Sequence, residues 1–176
     1  MGKKVGRQTF FLDSPVYIVG SSTIAGAKEK EGPIGKYLAH TVADDSLGED
    51  SYEKAERLMM EETIFNAIKD ANIDEKDVDL LVGGDLLNQL VTTNYTARSF
   101  DIPFVGVYGA CSTFAESLGI GACMLEAGYG NYIACTTGSH FSTSERQFRF
   151  PLELGNQRQT YSQWTDRKST RLNSSH

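Results

Sequence analysis

Three side chains that could carry chemistry stand at the ends of apolar, strand-like runs of the sequence. Asp85, Cys111 and His140 each follow one or two small residues that close such a run. In parallel α/β sheets, ligands gather beyond the carboxyl ends of the strands. The shared placement therefore predicts that the three side chains lie around one binding or catalytic site.

Cys111 opens a helix-like segment, and this position allows three interpretations. The exposed N–H groups and the dipole of a helix N-terminus stabilise a thiolate, and they equally favour a bound carboxylate. A buried cysteine can also act simply as a small apolar side chain. Cys111 is thus a candidate nucleophile, a candidate ligand contact or a packing residue.

The other two cysteines are predicted to serve packing alone. Cys123 lies in the middle of a helix-like run and Cys135 in the middle of a strand-like run. The three cysteines, each 12 residues from the next, fit no zinc-binding pattern, and an odd number cannot all pair within one chain. This usage indicates free thiols and a reducing compartment.

Asp85 and His140 also have alternative interpretations. Asp85 could pair with a cation, coordinate a metal ion or accept a hydrogen bond from a protonated ligand, or it could cap the helix that follows. One aspartate is too little to predict a metal site, since calcium takes about six to eight oxygen ligands. His140 could shuttle a proton or donate to a ligand carboxylate, or it could be an incidental loop residue. The glutamates of segment 53–62 are most simply a solvated helix face.

The order of the apolar runs predicts an α/β fold with a mainly parallel sheet. Strand-like runs alternate with helix-like segments, which is typical of βαβ units. Met60, Ile64, Ala67 and Ala71 fall on one helical stripe. The strand before Asp85 is expected to break at its two glycines. The predicted strands are 16–20, 78–85, 103–108 and 131–137, and the predicted helices are 51–69, capped by Ser51, 88–100 and 112–127.

Composition and charge exclude several classes of protein. The chain has 176 residues, a net charge of −6 and 40% hydrophobic residues, enough for one domain with a real core. The negative charge argues against nucleic-acid binding, which requires a basic face. No apolar run approaches the roughly 18 residues of a membrane span. The basic start lacks the hydrophobic region of a signal peptide, and the polar stretch 21–48 is predicted to be irregular.

The last eleven residues are predicted to be foreign to the natural chain. Residues 166–176 carry almost no core-forming side chain, and they resemble the translation of a sequencing adapter. Such a segment is excluded from fold reasoning. The natural sequence is therefore expected to occupy residues 1–165, of which 148–165 show no clear element.

Three stretches of the sequence resemble the stage V sporulation protein AD family of spore-forming bacteria. They are Val16–Gly20, Leu81–Gln89 and Tyr108–Thr113, and the resemblance runs from about residue 3 to 165. That family has the thiolase fold, in which two similar α/β halves pack around a central helix pair and usually dimerise. The resemblance therefore implies a thiolase-like fold of which residues 1–165 form the N-terminal half only.

The resemblance also implies a function without catalysis. The family is regarded as binding dipicolinic acid, or its calcium chelate, for uptake into the developing spore. Asp85 and Cys111 match residues that line that pocket. His140 is predicted to be a third ligand-binding residue because it also follows the end of a strand. The implied partners are dipicolinic acid, the membrane proteins of the spore uptake system and a second copy in a homodimer, with no nucleic acid. The implied location is the cytoplasmic side, peripheral to the inner spore membrane.

The same resemblance leaves one enzymatic alternative. In true thiolases and ketoacyl synthases, the cysteine at this turn accepts the acyl group and depends on histidines supplied mainly by the second half. Cys111 would then be the nucleophile of a condensing acyltransferase that uses CoA thioesters. Under the binding function, no catalytic residue, resident metal or cofactor is expected, and calcium would enter only as part of the ligand.

Overall fold

The structure is a computed structural model that describes residues 2–144. The predicted featureless segment 148–165 and the predicted foreign tail 166–176 lie outside the described residues. The strands are β1 Lys3–Val5, β2 Thr9–Phe11, β3 Ile24–Ala25, β4 His40–Thr41, β5 Leu80–Gly84, β6 Phe104–Gly106 and β7 Ile133–Thr137. The helices are α1 Ala27–Lys30, α2 Tyr52–Asp70, α3 Val91–Ala97 and α4 Thr113–Glu126.

A three-stranded parallel sheet in the order β6–β5–β7 forms the centre of the fold. Gly83 lies opposite Gly106 on one side of β5, and Gly84 lies opposite Thr137 on the other. The predicted α/β fold with a mainly parallel sheet is confirmed. The predicted break at the two glycines is wrong, because β5 continues through both. A side chain at Gly84 would collide with the carbonyl oxygen of Val107, so this position of the strand requires glycine.

Helices cover both faces of this sheet. Successive side chains of a strand point to opposite faces, and β5 divides its core residues accordingly. Leu81 packs with Ile64 of α2 and Ala97 of α3. Val82 packs on the other face with Met124 of α4. The result is a three-layer arrangement in which α2 and α3 lie on one side of the sheet and α4 on the other.

Helix α2 agrees closely with its prediction. The Ser51 side chain accepts a hydrogen bond from the backbone N–H of Lys54 at 3.3 Å, which is the predicted N-cap. Met60 and Ile64 are buried on the predicted stripe. The predicted helix 88–100 is shorter in the structure, because Gln89 and Leu90 adopt left-handed conformations. Two such residues cannot belong to a right-handed helix, so α3 begins after them.

The predicted buried strand Val16–Gly20 is wrong. This segment has no regular secondary structure and is not part of a sheet, and Tyr17 and Ile18 are 74% and 78% exposed. It is held near the end of α2, where the N–H of Ser21 donates to Asp70 Oδ2 at 2.9 Å. A strand needs a neighbour for its backbone groups, and none of the strands within residues 2–144 pairs with this segment.

The remaining described segments are small. β1 and β2 form an antiparallel hairpin. The stretch 21–48, predicted to be irregular, contains α1 and the short parallel pair of β3 and β4. Within residues 2–144, no helix combines the length and the apolar character that crossing a membrane requires.

Candidate ligand-binding site

The three predicted residues follow the carboxyl ends of the three strands of the central sheet. Asp85 follows β5, Cys111 lies beyond β6, and His140 lies beyond β7. Because the strands are parallel and in register, these ends lie at the same edge of the sheet. The predicted placement at one edge is confirmed, but the three side chains have very different surroundings.

Asp85 is buried, with 1% of its surface exposed, and its carboxylate is fully occupied by the protein. Oδ1 accepts a hydrogen bond from the N–H of Leu87 at 2.8 Å. Oδ2 accepts from the N–H of Thr93 at 2.7 Å and from the Thr93 hydroxyl at 2.5 Å. Thr93 lies in the first turn of α3, whose own N-cap residue gives no side-chain hydrogen bond. Asp85 therefore caps α3, which was the structural alternative left open by the sequence.

His140 is also buried, and both of its ring nitrogens have partners. The N–H of Ser142 donates to Nδ1 at 3.1 Å, so Nδ1 carries no proton. Nε2 therefore carries the proton and donates to the carbonyl oxygen of Asp45 at 2.8 Å. The ring stacks on Tyr52 of α2, with ring centroids 4.9 Å apart. His140 thus ties the turn after β7 to α2 and to the loop that precedes α2.

Glu56 of α2 is a buried acid that the sequence analysis missed. Only 2% of its surface is exposed, so the expectation that segment 53–62 is simply a solvated face is wrong at this residue. Its Oε2 lies 2.6 Å from the hydroxyl of Thr143, and its Oε1 is buried without a hydrogen-bond partner among the described residues. Glu56 lies one helical turn before Met60, which continues the predicted apolar stripe with Ile64. That continuation is the signal that could have revealed it.

The surroundings of Glu56 favour its neutral form. Burial raises the pKa of Glu56 from 4.5 to about 7, because the charged form loses its hydration. The Thr143 hydroxyl lowers this pKa, the negative charge of Asp85 raises it further, and the His140 backbone lowers it. Glu56 therefore lies between the two predicted site residues: the Asp85 charge acts on it from β5, and Thr143 contacts it from the turn that carries His140.

Cys111 differs from both, because it is exposed. It lies in a 3-10 turn, Ala110–Ser112, that leads directly into α4, which confirms the predicted position at a helix start. Ala110 has a φ of 50°, a left-handed conformation that is uncommon for a residue with a side chain. This sharp turn presents the cysteine at the carboxyl edge of the sheet.

The first turn of α4 carries an acidic side chain beside Cys111. Glu116 makes a short hydrogen bond with the Ser112 hydroxyl. Its carboxylate also lies against Gly109, where any side chain would collide with it. Ser112 gives α4 no side-chain cap, so its hydroxyl is engaged by Glu116 rather than by the N–H groups of this helix start.

The other two cysteines behave differently from each other. Cys135 is partly buried in β7, and its thiol contacts the carbonyl oxygen of Ser117 at 3.3 Å. Burial raises the pKa of Cys135 to about 11, which keeps it a thiol and confirms the packing role. Cys123 is exposed on α4, so the predicted packing role is wrong for this residue. It lies on the solvent side of its helix.

The sequence profile of the stage V sporulation protein AD family matches residues 6–170 of this chain. The chain belongs to that family. It is 40% identical over 156 residues to stage V sporulation protein AD of Bacillus subtilis (strain 168). This match covers 89% of the chain and 46% of that relative, so the chain spans about half the length of the curated relative that it matches. The family resemblance inferred from three short stretches is confirmed.

Two solved structures resemble the fold of this family member. One is the priming β-ketosynthase of a polyketide biosynthetic pathway, with a TM-score of 0.40, 19% identity, and coverage of 51% of this chain and 27% of that chain. The other is a variant of OleA from Xanthomonas campestris, with a TM-score of 0.44, 20% identity, and coverage of 63% and 39%. At these scores the similarities carry no further argument.

Proposed function

We propose that this chain is part of a non-enzymatic protein that binds dipicolinic acid, as its calcium chelate, for uptake into the developing spore. Membership of the stage V sporulation protein AD family supports the sporulation role. The observation that carries the proposed site is the exposed Cys111 turn at the carboxyl edge of the sheet. Asp85 and His140, by contrast, already use their polar atoms within the protein.

These hydrogen bonds suggest separate roles for the three predicted residues. In our proposal, Cys111 contacts the ligand, and the start of α4 faces one ligand carboxylate, as helix N-termini commonly do. Asp85 and His140 border the site and shape it. Asp85 holds α3 in place, and His140 holds the turn after β7 against α2. The ligand pocket is then completed by parts of the protein beyond the described residues.

The charges near Cys111 favour the chelate over the free acid. Glu116 lies beside the start of α4, and Asp85 lies after the neighbouring strand, so a free dianion would meet two carboxylates. Like charges in a poorly solvated site repel strongly. A dicarboxylate that carries one Ca²⁺ has no net charge and avoids this repulsion. Calcium also prefers oxygen ligands, which the half-buried Glu116 carboxylate could supply.

Calorimetry on the complete protein that contains this chain tests the proposal. We expect heat of binding with calcium and dipicolinate together, and weaker binding with dipicolinate plus a calcium chelator. Cys111→Lys should abolish binding by filling the turn with a long, charged side chain. Cys123→Lys, at another exposed cysteine on the helix that follows, is the matched control and should bind normally. No heat with either ligand form at millimolar concentration would contradict the proposal.

The acyltransferase alternative has one observation in its favour, the exposed cysteine on a left-handed turn at a helix start. If Cys111 were a nucleophile, acetyl-CoA should leave an acetyl group on it. Intact-mass and peptide mass spectrometry of the wild type and of Cys111→Ser distinguish the two functions. A stable adduct confined to Cys111 would favour the enzyme, and its absence favours the binding protein.

The further roles implied by the family are also part of this proposal. We propose that the protein acts on the cytoplasmic side, peripheral to the inner spore membrane, as a homodimer that hands dipicolinate to membrane proteins of the uptake system. Crosslinking in sporulating cells, followed by mass spectrometry of the captured membrane fraction, tests the partners. Light scattering of the purified protein tests the dimer.

A further inference from the structure

The hydroxyl of Thr143 has two acceptors but only one proton. Its Oγ lies 2.6 Å from Glu56 Oε2 and 2.9 Å from the carbonyl oxygen of His140. A carbonyl oxygen can only accept a hydrogen bond. Both contacts are full two-centre hydrogen bonds at once, rather than one hydrogen shared between two acceptors, only if Glu56 carries a proton and donates it to Thr143, which in turn donates to His140.

The groups around Glu56 also fit a neutral acid. The negative charge of Asp85, which follows β5, repels a negative charge on Glu56. On α2 itself, Arg57 is paired with Glu61 at 3.1 Å. From the turn after β7 it meets the Thr143 hydroxyl and the His140 backbone, which favour the charged form less than burial opposes it, and the His140 ring is neutral in the hydrogen-bond pattern described above. Within residues 2–144, no basic side chain forms a salt bridge with Glu56, and its Oε1 is buried without a hydrogen-bond partner.

We propose that Glu56 is a positioning residue whose proton holds the turn after β7, residues 138–144, in place. As a neutral acid, Glu56 donates to Thr143, and Thr143 donates to the His140 carbonyl. When Glu56 loses the proton, Thr143 must turn its single hydrogen towards the carboxylate and release the carbonyl. The His140 carbonyl then keeps only the hydrogen bond from the N–H of Ser144, so the turn loses an internal bond while a negative charge is left in the interior. The inference depends on the proposed function only in that this turn borders the proposed ligand site.

Hydrogen exchange without ligand tests the proposal directly. Backbone amide exchange is measured at a series of pH values from about 5.5 to 8.5. The exchange rates of segment 138–144 are divided by those of an unfolded peptide of the same sequence, which removes the intrinsic pH dependence of exchange. Each pH unit above the midpoint lowers the neutral fraction of Glu56 about tenfold. We expect protection of this segment to fall by about that factor per unit above neutral pH, while the core strand β5 keeps its protection.

Three variants separate positioning from simple packing. Glu56→Gln keeps a donor for Thr143 and cannot ionise, so its segment should stay protected at every pH. Thr143→Val removes the hydroxyl with little change of shape, so protection should be low at every pH, without a step. Glu62→Gln, an exposed glutamate of the same helix, is the matched control and should retain the wild-type pH profile.

Either of two results would overturn the proposal. The first is a wild-type profile that shows no more pH dependence than Glu56→Gln. The second is a Glu56→Gln protein that loses protection as fully as Thr143→Val. If Glu56→Gln does not fold, infrared spectroscopy of the wild type and Thr143→Val decides instead. A protonated carboxylic acid band present at pH 6 and lost by pH 8.5 supports the proposal, and no such band contradicts it.

The link to the proposed function is tested separately. Calcium dipicolinate affinity should weaken above neutral pH in the wild type and stay constant in Glu56→Gln. Loss of all binding in both proteins, with the exchange profile as expected, would contradict the proposed ligand and leave the role of Glu56 supported. Equal pH dependence of affinity in both proteins would show that Glu56 does not act on the ligand site.

Discussion

The turns after β5, β6 and β7 meet at one edge of the sheet, but their reactive side chains differ in exposure to solvent. The side chain after β6 is exposed, whereas those after β5 and β7 are buried. Cys111 is exposed on a sharp turn, whereas Asp85 and His140 are 1% and 5% exposed. The buried pair form hydrogen bonds with backbone groups through both of their polar atoms. Position at a strand end therefore does not identify a ligand contact; the occupancy of the side chain's hydrogen-bonding atoms does.

The largest expected effect comes from removing the buried carboxylate. Asp85→Ala leaves the N–H of Leu87 and both donors of Thr93 without a partner. Hydrogen bonds to charged groups contribute about 1.5–3 kcal/mol each, so three of them lead us to expect a loss of roughly 5 kcal/mol in the free energy of unfolding. Urea denaturation measures it. Asp85→Asn, which keeps one acceptor oxygen, should lose roughly half as much. A change below about 0.5 kcal/mol would show that Asp85 does not cap α3.

The next effect is the pH dependence that Glu56 adds to stability. Between pH 4.5 and about 7, folded Glu56 holds a proton that the unfolded chain has released. Its stabilising contribution is therefore complete below pH 4.5 and is lost as the pH rises through about 7. The raised pKa corresponds to roughly 3 kcal/mol. We expect the difference in unfolding free energy between the wild type and Glu56→Gln to change by that amount from pH 4.5 to 8.5. A difference that is constant with pH would contradict this.

The smallest expected effect on stability is at the exposed turn. Cys111→Ser should change the free energy of unfolding by less than about 0.5 kcal/mol, as is usual for exposed positions. We compare the thermal melting of Cys111→Ser with that of Cys135→Ser, measured under the same conditions. Cys135 is partly buried on β7 with its thiol against α4, so its replacement by a polar hydroxyl should cost more. Equal losses would mean that Cys111 is a packing residue after all.

Local sequence patterns were sufficient for the elements that carry the site. Ser51 suits an N-cap, and the stripe of Met60 and Ile64 fixes the buried face of α2. The segment Val16–Gly20 misled the prediction, because an apolar run becomes a strand only when another strand pairs with it. Whether another strand is there to pair with the run leaves no trace in the run itself.

The candidate site was predictable in position but not in detail. The parallel order of strands places Asp85, Cys111 and His140 at one edge, as expected. Which of them is free to act depends on contacts between distant elements, such as Thr93 on Asp85 and Asp45 on His140. Glu56 was missed because a glutamate within a charged run usually faces solvent. Its spacing of four residues from Met60 was the only local sign of burial.

Alkylation of the two exposed thiols tests most directly whether the open turn is the ligand contact. Cys111, in the turn that leads into α4, and Cys123, in the body of α4, are both exposed, so Cys123 is a built-in control. The complete protein is treated with iodoacetamide, with and without calcium dipicolinate, and the labelling rates are read by peptide mass spectrometry. We expect the ligand to slow labelling of Cys111 at least tenfold, as about 90% occupancy requires, and to leave Cys123 unchanged. Equal labelling of Cys111 with and without saturating ligand would contradict the account.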